Sequence, residues 1–185
     1  GASVAAGGDM GAEGSAGPAA TAPFLTSDCA TPGAPTPSDT APADATTFGS
    51  VSVRLADQGV PFVTVAADAQ AGQEVEAYDL SVGDGPEVKD GDVITINYCG
   101  VGMTTRQMFD SSWTRGEPLT YSLDELIPGW ALGIPSMKVG GERLLIIPGD
   151  LAYGPNPSPD SGILPNETLI FVVEVLGIEP APGAS

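Results

Sequence analysis

The sequence predicts an α+β fold: an antiparallel β-sheet of about five strands curved around one short α-helix, preceded by a disordered N-terminal extension. From residue 51 onward, short apolar segments either alternate with polar residues or form brief continuous runs, and turn residues separate them. Only one short segment has the start and stop signals of a helix. The residues before position 51 show almost no apolar pattern.

The first strands are predicted just after residue 50. Val51, Val53 and Leu55 alternate with polar residues, and residues 60–65 are mostly apolar, so the two segments predict strands around an Ala-Asp-Gln-Gly turn. Two strands do not make a stable domain. One interpretation is that they dock on the edge of the main sheet. The other is that they are a trace of a second domain of the same kind.

The main sheet is predicted from residue 74 onward. Side chains alternate along a strand, so Ile94, Ile96 and Tyr98 share one face and Cys99 belongs to the other. The two most C-terminal segments are continuous apolar runs, as expected of central strands covered on both faces. The predicted strands of this sheet lie at 75–82, 93–98, 119–123, 144–147 and 169–176.

The helix is predicted at residues 128–132. Pro128 suits the first helical position, where its missing N–H is not needed. Gly133 and Pro135 then end the helix after one or two turns.

Residues 1–50 consist almost entirely of Gly, Ala, Ser, Thr and Pro, which predicts a flexible spacer because little apolar surface offsets the cost of ordering. Residues 51–73 are then a short β extension or linker, 74–179 the main domain and 180–185 a tail. The chain begins with Gly and has no apolar stretch near membrane-spanning length. The initial Gly leads us to expect that an initiator or signal segment has been removed. The spacer leads us to expect an extracytoplasmic protein, secreted or held off a membrane or cell wall. The alternative is a disordered tail on a cytoplasmic protein.

The composition excludes several classes of function. With 24 acidic and 6 basic residues the formal charge is -18, so binding to nucleic acid or to an anionic membrane surface is disfavoured. Histidine is absent, which removes Ser-His-Asp and Cys-His sites and most zinc sites. Two cysteines are too few for a Cys-rich metal site. We expect neither a metal nor a cofactor.

Five motifs follow one another in the main domain. They are NYCG at 97–100, MFDSSWTRGEPL at 108–119, LIPGW at 126–130, MKVGGERLLIIPGDLAYG at 137–154 and ILPNETLIF at 163–171. In this order and at this spacing they resemble the FKBP-type peptidyl-prolyl isomerases, the macrolide-binding immunophilins, over about residues 74–178. The resemblance implies the same α+β fold.

The resemblance also implies a substrate pocket. Tyr98, Asp110 and Tyr153 match the family's catalytic positions: Asp110 at the pocket edge beside Tyr98, and the Tyr153 hydroxyl meeting a substrate carbonyl. Trp130 matches the pocket floor. A backbone amide of the pair Leu126 and Ile127 would bind a ligand carbonyl. The positions that match substrate-binding residues are Phe109, Leu119, Leu126, Ile127, Trp130, Ile163 and Phe171.

Some of these residues also have a simpler interpretation. Trp130 and Phe171 are equally typical of an ordinary apolar core, and Asp110 before two serines is typical of a turn or a helix cap. Leu119 stands where many family members have Phe, so one pocket wall is less aromatic. Gly162 and the prolines of the loop before Ile163 also depart from the family, and they bear on substrate preference.

The implied activity is the isomerisation of X-Pro bonds in unfolded or flexible polypeptides. Rotation faces a barrier of about 18–20 kcal/mol from amide resonance, and no bond is broken. A dry aromatic pocket favours the twisted amide without histidine or metal. A macrolide ligand and a monomeric state are also expected. The alternative function is a non-catalytic chaperone or docking module on the same fold. A domain that only anchors the acidic tail has no positive feature in the sequence.

The two cysteines predict a disulfide. Cys99 faces away from the pocket if Tyr98 faces into it, and Cys29 is its only possible partner. Two cysteines in an exported chain favour a bridge, which would hold the spacer near Cys29 against the outer face of the strand. Two free thiols are the alternative.

Overall fold

The computed structural model describes residues 21–179. In this part of the chain there are two short helices, α1 (Ser112–Arg115) and α2 (Pro128–Gly133), and 3-10 turns at Asp57–Gly59, Leu123–Glu125 and Gly149–Leu151. The strands are β1 (Phe24–Asp28), β2 (Thr36–Ser38), β3 (Thr46–Phe48), β4 (Val51–Leu55), β5 (Pro61–Ala66), β6 (Glu76–Ser81), β7 (Val93–Gly102), β8 (Met108–Ser111), β9 (Leu119–Ser122), β10 (Glu142–Ile147) and β11 (Leu169–Glu179). No helix within residues 21–179 is long and apolar enough to cross a membrane.

The main sheet has six antiparallel strands in the order β6-β10-β11-β7-β8, and β9 pairs with the first half of β7. Helix α2 packs against one face of this sheet through Trp130, which belongs to the same core cluster as Leu145 and Phe171. The α+β class predicted from the sequence is therefore confirmed. The strand β8, which carries Phe109 and Asp110, was not predicted.

Helix α2 begins at Pro128, as predicted, and ends at Gly133, one residue beyond the predicted end. It lies very close to the sheet. A Cβ at Gly129 would come within 2.3 Å of Ile147 Cγ2, so only glycine permits this approach. The close contact places Trp130 directly over the sheet.

Both faces of the main sheet are buried. On β10 and β11, Leu145 and Phe171 face α2, whereas Leu144 and Val172 face the opposite way into a second core. The exposed fraction of each of these side chains is 1% or less. This arrangement explains the continuous apolar runs in the sequence.

A second antiparallel sheet covers the outer face of the main sheet. Its strand order is β2-β1-β5-β4-β3. Val51, Val53, Val63 and Val65 pack in the same core cluster as Val172 and the other outward residues of the main sheet. The predicted hairpin of β4 and β5 therefore exists, but the expectation that it docks on the sheet edge is wrong. It packs face to face because the outer face is apolar.

Residues 21–50 differ from the predicted flexible spacer. Strand β1 pairs with β5, Leu25 lies opposite Val65, and Leu25 is buried. Local composition could not reveal this, because the apolar surface that orders β1 belongs to the main sheet and to β5. Residues 1–20 and the predicted tail at 180–185 lie outside the described residues. The domain boundary predicted near residue 74 falls between β5 and β6.

Several contacts join the N-terminal sheet to the β7–β8 hairpin. The predicted disulfide between Cys29 and Cys99 is present, with the two Cα atoms 5.9 Å apart. Ser111 Oγ donates a hydrogen bond to the carbonyl of Cys29 at 2.6 Å. Arg106 Nη1 donates to the carbonyl of Ala22 at 2.9 Å. The N-terminal sheet thus contacts the hairpin that carries part of the predicted pocket.

Candidate functional site

A small aromatic pocket lies between helix α2 and the inner face of the main sheet. Its volume is about 80 Å³. The residues that line it are Tyr98, Phe109, Asp110, Leu119, Leu126, Ile127, Trp130, Tyr153 and Phe171. All of these residues were candidates from the sequence. The remaining candidate, Ile163, lines an adjacent groove rather than the pocket.

Edge-to-face aromatic contacts fix the walls and the floor. Trp130 on α2 and Phe171 on β11 have ring centroids 5.0 Å apart at 88°, and Tyr98 meets Trp130 at 5.3 Å. Phe109 meets Phe171 at 5.6 Å. Aromatic pairs prefer such perpendicular geometries, so the rings hold one another in place. Trp130 and Phe171 belong to the core and also line the pocket, so their roles in binding substrate stay a prediction.

Gly100 makes room for one of these walls. A Cβ at this position of β7 would lie 2.5 Å from Cζ of Phe109 and 2.8 Å from Cε1 of Phe171. Any larger residue would displace the two rings. The Gly of the NYCG motif is therefore required by the shape of the pocket.

A polar cluster lies at one edge of the pocket. The Tyr98 hydroxyl donates a short hydrogen bond to Asp110 Oδ2, and Arg115 Nη1 forms an ion pair with Asp110 Oδ1. Arg115 Nη2 also donates to the Tyr98 hydroxyl at 3.0 Å. Asp110 therefore lies within β8 with its side chain in this cluster, and the interpretation of it as a turn or cap residue is wrong.

The environment strongly favours the neutral form of Tyr98. Burial, reinforced by the hydrogen bond to Asp110, raises the pKa of Tyr98 to about 12. The tyrosine thus remains a hydroxyl donor at any physiological pH. Its role in the described structure is to hold the Asp110 carboxylate at the pocket edge.

Two hydrogen-bond donors of the pocket remain available. Tyr153 lies just after the 3-10 turn at Gly149–Leu151, and its hydroxyl has no hydrogen-bond partner among residues 21–179. Tyr153 is 48% exposed, and its partial burial, with a smaller contribution from the charge of Asp110, raises the pKa of its hydroxyl, so this group also stays protonated. The N–H of Ile127, at the start of α2, likewise makes no hydrogen bond within this part of the chain. Both groups can donate hydrogen bonds to carbonyl oxygens of a bound chain.

Three residues near the site were not predicted from the sequence, namely Arg115 and the two serines that follow Asp110. Ser112 Oγ accepts a hydrogen bond from the N–H of Tyr98 and donates to Asn97 Oδ1, both at 2.8 Å. These contacts fasten α1 to β7. The signal that could have identified Arg115 is its position in the short segment after Asp110, because one helical turn brings it back to that carboxylate.

The site contains no described metal-binding group. Within residues 21–179, no cluster of three or more His, Cys, Asp or Glu side chains has the geometry to hold a metal ion.

The fold and the pocket define an isomerase-like α+β domain with an aromatic cleft, and comparison with known proteins identifies its family. A family profile described as FKBP-type peptidyl-prolyl cis-trans isomerase matches residues 85–176. An FK506-binding protein of Streptomyces anulatus is 44% identical over 102 residues, which cover 54% of this chain and 82% of that protein. The chain belongs to the FKBP-type peptidyl-prolyl cis-trans isomerase family.

Two further comparisons concern FkpA of Escherichia coli. The FKBP-type peptidyl-prolyl cis-trans isomerase FkpA of strain K12 is 47% identical over 105 residues, covering 57% of this chain and 38% of FkpA. The crystal structure of FkpA superimposes with a TM-score of 0.54 at 41% identity, covering 63% of this chain and 55% of that one. The matched sequence segment spans 38% of the length of FkpA, and the superimposed region spans 55% of the crystallised chain.

Proposed function

We propose that this chain catalyses the cis–trans isomerisation of X-Pro bonds in unfolded or flexible polypeptides. The observation that carries the proposal is the pocket floored by Trp130, in which the free Tyr153 hydroxyl stands at the rim of an apolar cavity. An apolar cavity of this kind suits a proline ring, and the free donors suit the carbonyls beside it.

The pocket lowers the rotation barrier by binding the twisted amide better than the planar one. As the amide twists, it loses resonance and its carbonyl becomes less polar, so transfer into an aromatic pocket costs less for the transition state than for the ground state. The Tyr153 hydroxyl and the Ile127 N–H hold substrate carbonyls, which fixes part of the chain while the X-Pro bond rotates. Asp110 supplies a fixed negative charge at the edge, oriented by Tyr98 and Arg115.

The experiment is a protease-coupled isomerisation assay with a Leu-Pro or Phe-Pro peptide. We expect the purified chain to accelerate cis-to-trans conversion, and FK506 to compete with the peptide, as the name of the Streptomyces relative suggests. Folded protein that binds the peptide without accelerating its conversion would replace the enzyme with the alternative, a non-catalytic chaperone or docking module.

We also propose that the protein works outside the cytoplasm. The Cys29–Cys99 disulfide supports this location, because such bonds persist in oxidising compartments. The test is a count of free thiols, under denaturing and non-reducing conditions, in protein isolated from its native host. Two titratable thiols would contradict the location.

The monomeric state of the protein stays a prediction, which light scattering can test.

A further inference from the structure

A groove beside the aromatic pocket, here called the loop groove, has a volume of about 300 Å³. It shares Phe109, Asp110 and Tyr153 with the pocket, and its other side is formed by the loop that leads to Ile163. The pocket and the groove are therefore adjacent, and a bound chain can contact both.

The loop is held in shape by its own hydrogen bonds. The N–H of Ser161 donates to the carbonyl of Ser158 at 3.0 Å and closes a turn that contains Pro159 and Asp160. The Ile163 N–H then donates to Ser161 Oγ at 3.2 Å. Pro159 has a fixed φ angle, which restricts the backbone within this turn. The turn thus presents Asp160 in a defined position at the groove.

Gly162 brings this loop against the pocket wall. Its φ angle is +81°, a conformation that glycine adopts readily, and a Cβ there would lie 3.6 Å from Cβ of Phe109. The loop therefore lies next to β8, and Asp160 lines the groove that begins at the pocket.

Asp160 is a carboxylate of this groove that can form an ion pair with a ligand. Ser158 Oγ donates to Asp160 Oδ1 at 2.7 Å, which lowers the pKa of Asp160 and keeps it ionised. Asp160 forms no ion pair with any residue in the described range 21–179. The other carboxylate at the groove, Asp110, already forms an ion pair with Arg115.

A second acidic residue of the same loop has a structural role instead. Glu167 is buried, and its carboxylate accepts hydrogen bonds from the backbone N–H groups of Thr104, Thr105 and Leu164 at 2.8–3.1 Å. Its charge is thus satisfied inside the protein and does not face the groove.

We propose that the loop groove receives the side chain of the residue that precedes the proline, and that Asp160 makes it selective for Lys or Arg at that position. This inference rests on the proposed isomerase function. The residue before the proline carries the carbonyl that rotates, and Tyr153, the free donor for a carbonyl, borders both the pocket and the groove. With the proline ring over Trp130, the preceding side chain enters the groove.

The test uses peptides of the type Ala-Xaa-Pro-Phe-4-nitroanilide, in which Xaa is Lys, norleucine or Glu. Norleucine has nearly the length of Lys without its charge. We expect kcat/KM to be about two- to fivefold higher for Lys than for norleucine at low salt, which is the range of an exposed ion pair, and lowest for Glu. High salt should reduce the difference.

Asp160→Asn should bring the Lys-to-norleucine ratio close to one, and Asp160→Lys should make Glu the better substrate. Asp150→Asn is the matched control, because it removes the same charge from an exposed residue that does not line the groove. Thermal unfolding verifies that each variant is folded.

The possible results of these assays distinguish a failure of the role assigned to Asp160 from a failure of the proposed isomerase function. If wild type and Asp160→Asn have the same Lys-to-norleucine ratio while both accelerate the norleucine peptide, the role of Asp160 is refuted and the isomerase function stands. If wild type accelerates none of the peptides, the proposed function itself fails. If Asp150→Asn changes the ratio as much as Asp160→Asn, selectivity comes from the overall charge of -18 and the groove assignment is overturned.

Discussion

Tyr98 and Cys99 are neighbours on β7 and point to opposite faces of the main sheet. Tyr98 lines the aromatic pocket, while Cys99 is bonded to Cys29 in the core between the two sheets. One strand therefore carries a wall of the site on one side and the covalent attachment of the N-terminal sheet on the other.

On the adjacent strand β8, two neighbouring residues likewise point to opposite faces of the main sheet. Asp110 faces the site, and the next residue, Ser111, is buried and bonded to the carbonyl of Cys29. The N-terminal sheet therefore supports the backbone behind two polar residues of the site without contacting the pocket itself. A loss of this support should affect stability more than catalysis.

The first prediction concerns the disulfide. Replacing both cysteines, as Cys29→Ala with Cys99→Ala, should lower the free energy of unfolding by about 2–4 kcal/mol, because the bridge closes a long loop with a sequence separation of 70. Urea unfolding measures the change. We expect kcat/KM to fall less than about threefold, because the pocket lies on the other face.

Reduced wild-type protein is the control for that experiment. It should unfold at nearly the same urea concentration as the double variant, because both lack the same constraint. Equal stability of oxidised wild type and double variant would contradict the prediction.

The second prediction concerns Asp110. Asp110→Leu should lower kcat/KM roughly tenfold and leave the fold intact, because it removes the charge held at the pocket edge, where one charged hydrogen bond is worth about 1.5 kcal/mol or more. A second readout is the titration of Tyr98. Since Asp110 contributes to the pKa of about 12, Asp110→Asn should lower the pKa of Tyr98, which ultraviolet absorbance measures. An unchanged Tyr98 titration together with unchanged turnover would refute the role of Asp110.

The third prediction concerns Tyr153. Tyr153→Phe should reduce kcat/KM about fivefold, because it removes one neutral hydrogen bond to a substrate carbonyl, worth about 1 kcal/mol. Tyr121→Phe is the matched control, since Tyr121 is also exposed but does not line the pocket. The same coupled assay serves both variants. Similar activity in the two variants and wild type would show that the hydroxyl does not act on substrate.

Much of the main domain could be predicted because its signals are local. The alternation of Ile94, Ile96 and Tyr98 indicated which face of β7 enters the core, and Pro128 with Gly133 marked α2. The pocket lining followed from motif order and spacing, which the resemblance to a family supplied. Periodicity alone would not have brought Tyr153 and Phe171 to one cavity.

The N-terminal sheet could not be predicted, because its stability comes from distant partners. The stretch that contains β1 has little apolar surface of its own, and Leu25 becomes buried only when β1 pairs with β5. Arg115 was missed for a similar reason: its role depends on a turn of α1 that returns it to Asp110. The composition of a segment does not reveal the distant surface on which that segment packs.

An acidic pair lies where the two sheets meet, with Glu142 buried and Glu174 partly buried. Glu142 on β10 is opposite Glu174 on β11, and Asn97 Nδ2 donates to Glu174 at 3.4 Å. The turn at Gly59 in the N-terminal sheet covers them, since a Cβ there would lie 2.7 Å from Glu142 Oε1. Glu142 is 3% exposed, and its Oε2 has no hydrogen-bond partner within the described residues. Such a carboxyl is held more easily in its neutral form.

The fourth prediction follows from this pair. Burial, and then the charge of Glu174, raises the pKa of Glu142 from 4.5 to about 8, and burial raises the pKa of Glu174 as well. The folded protein therefore binds more protons than the unfolded chain between these values. The contribution of Glu142 to stability is fully present below about pH 4.5 and is lost as the pH rises toward 8.

Glu142→Gln should remove this loss, because glutamine resembles the protonated carboxyl and does not ionise. We expect the variant to match wild type near pH 5 and to exceed its free energy of unfolding by about 2–4 kcal/mol near pH 9, measured by urea unfolding across the range. Glu117→Gln, which removes one carboxylate at an exposed position, is the control for the loss of a single charge. If the difference between Glu142→Gln and wild type is the same at both ends of the range, Glu142 is ionised in the folded protein throughout, and the core between the sheets accommodates its charge.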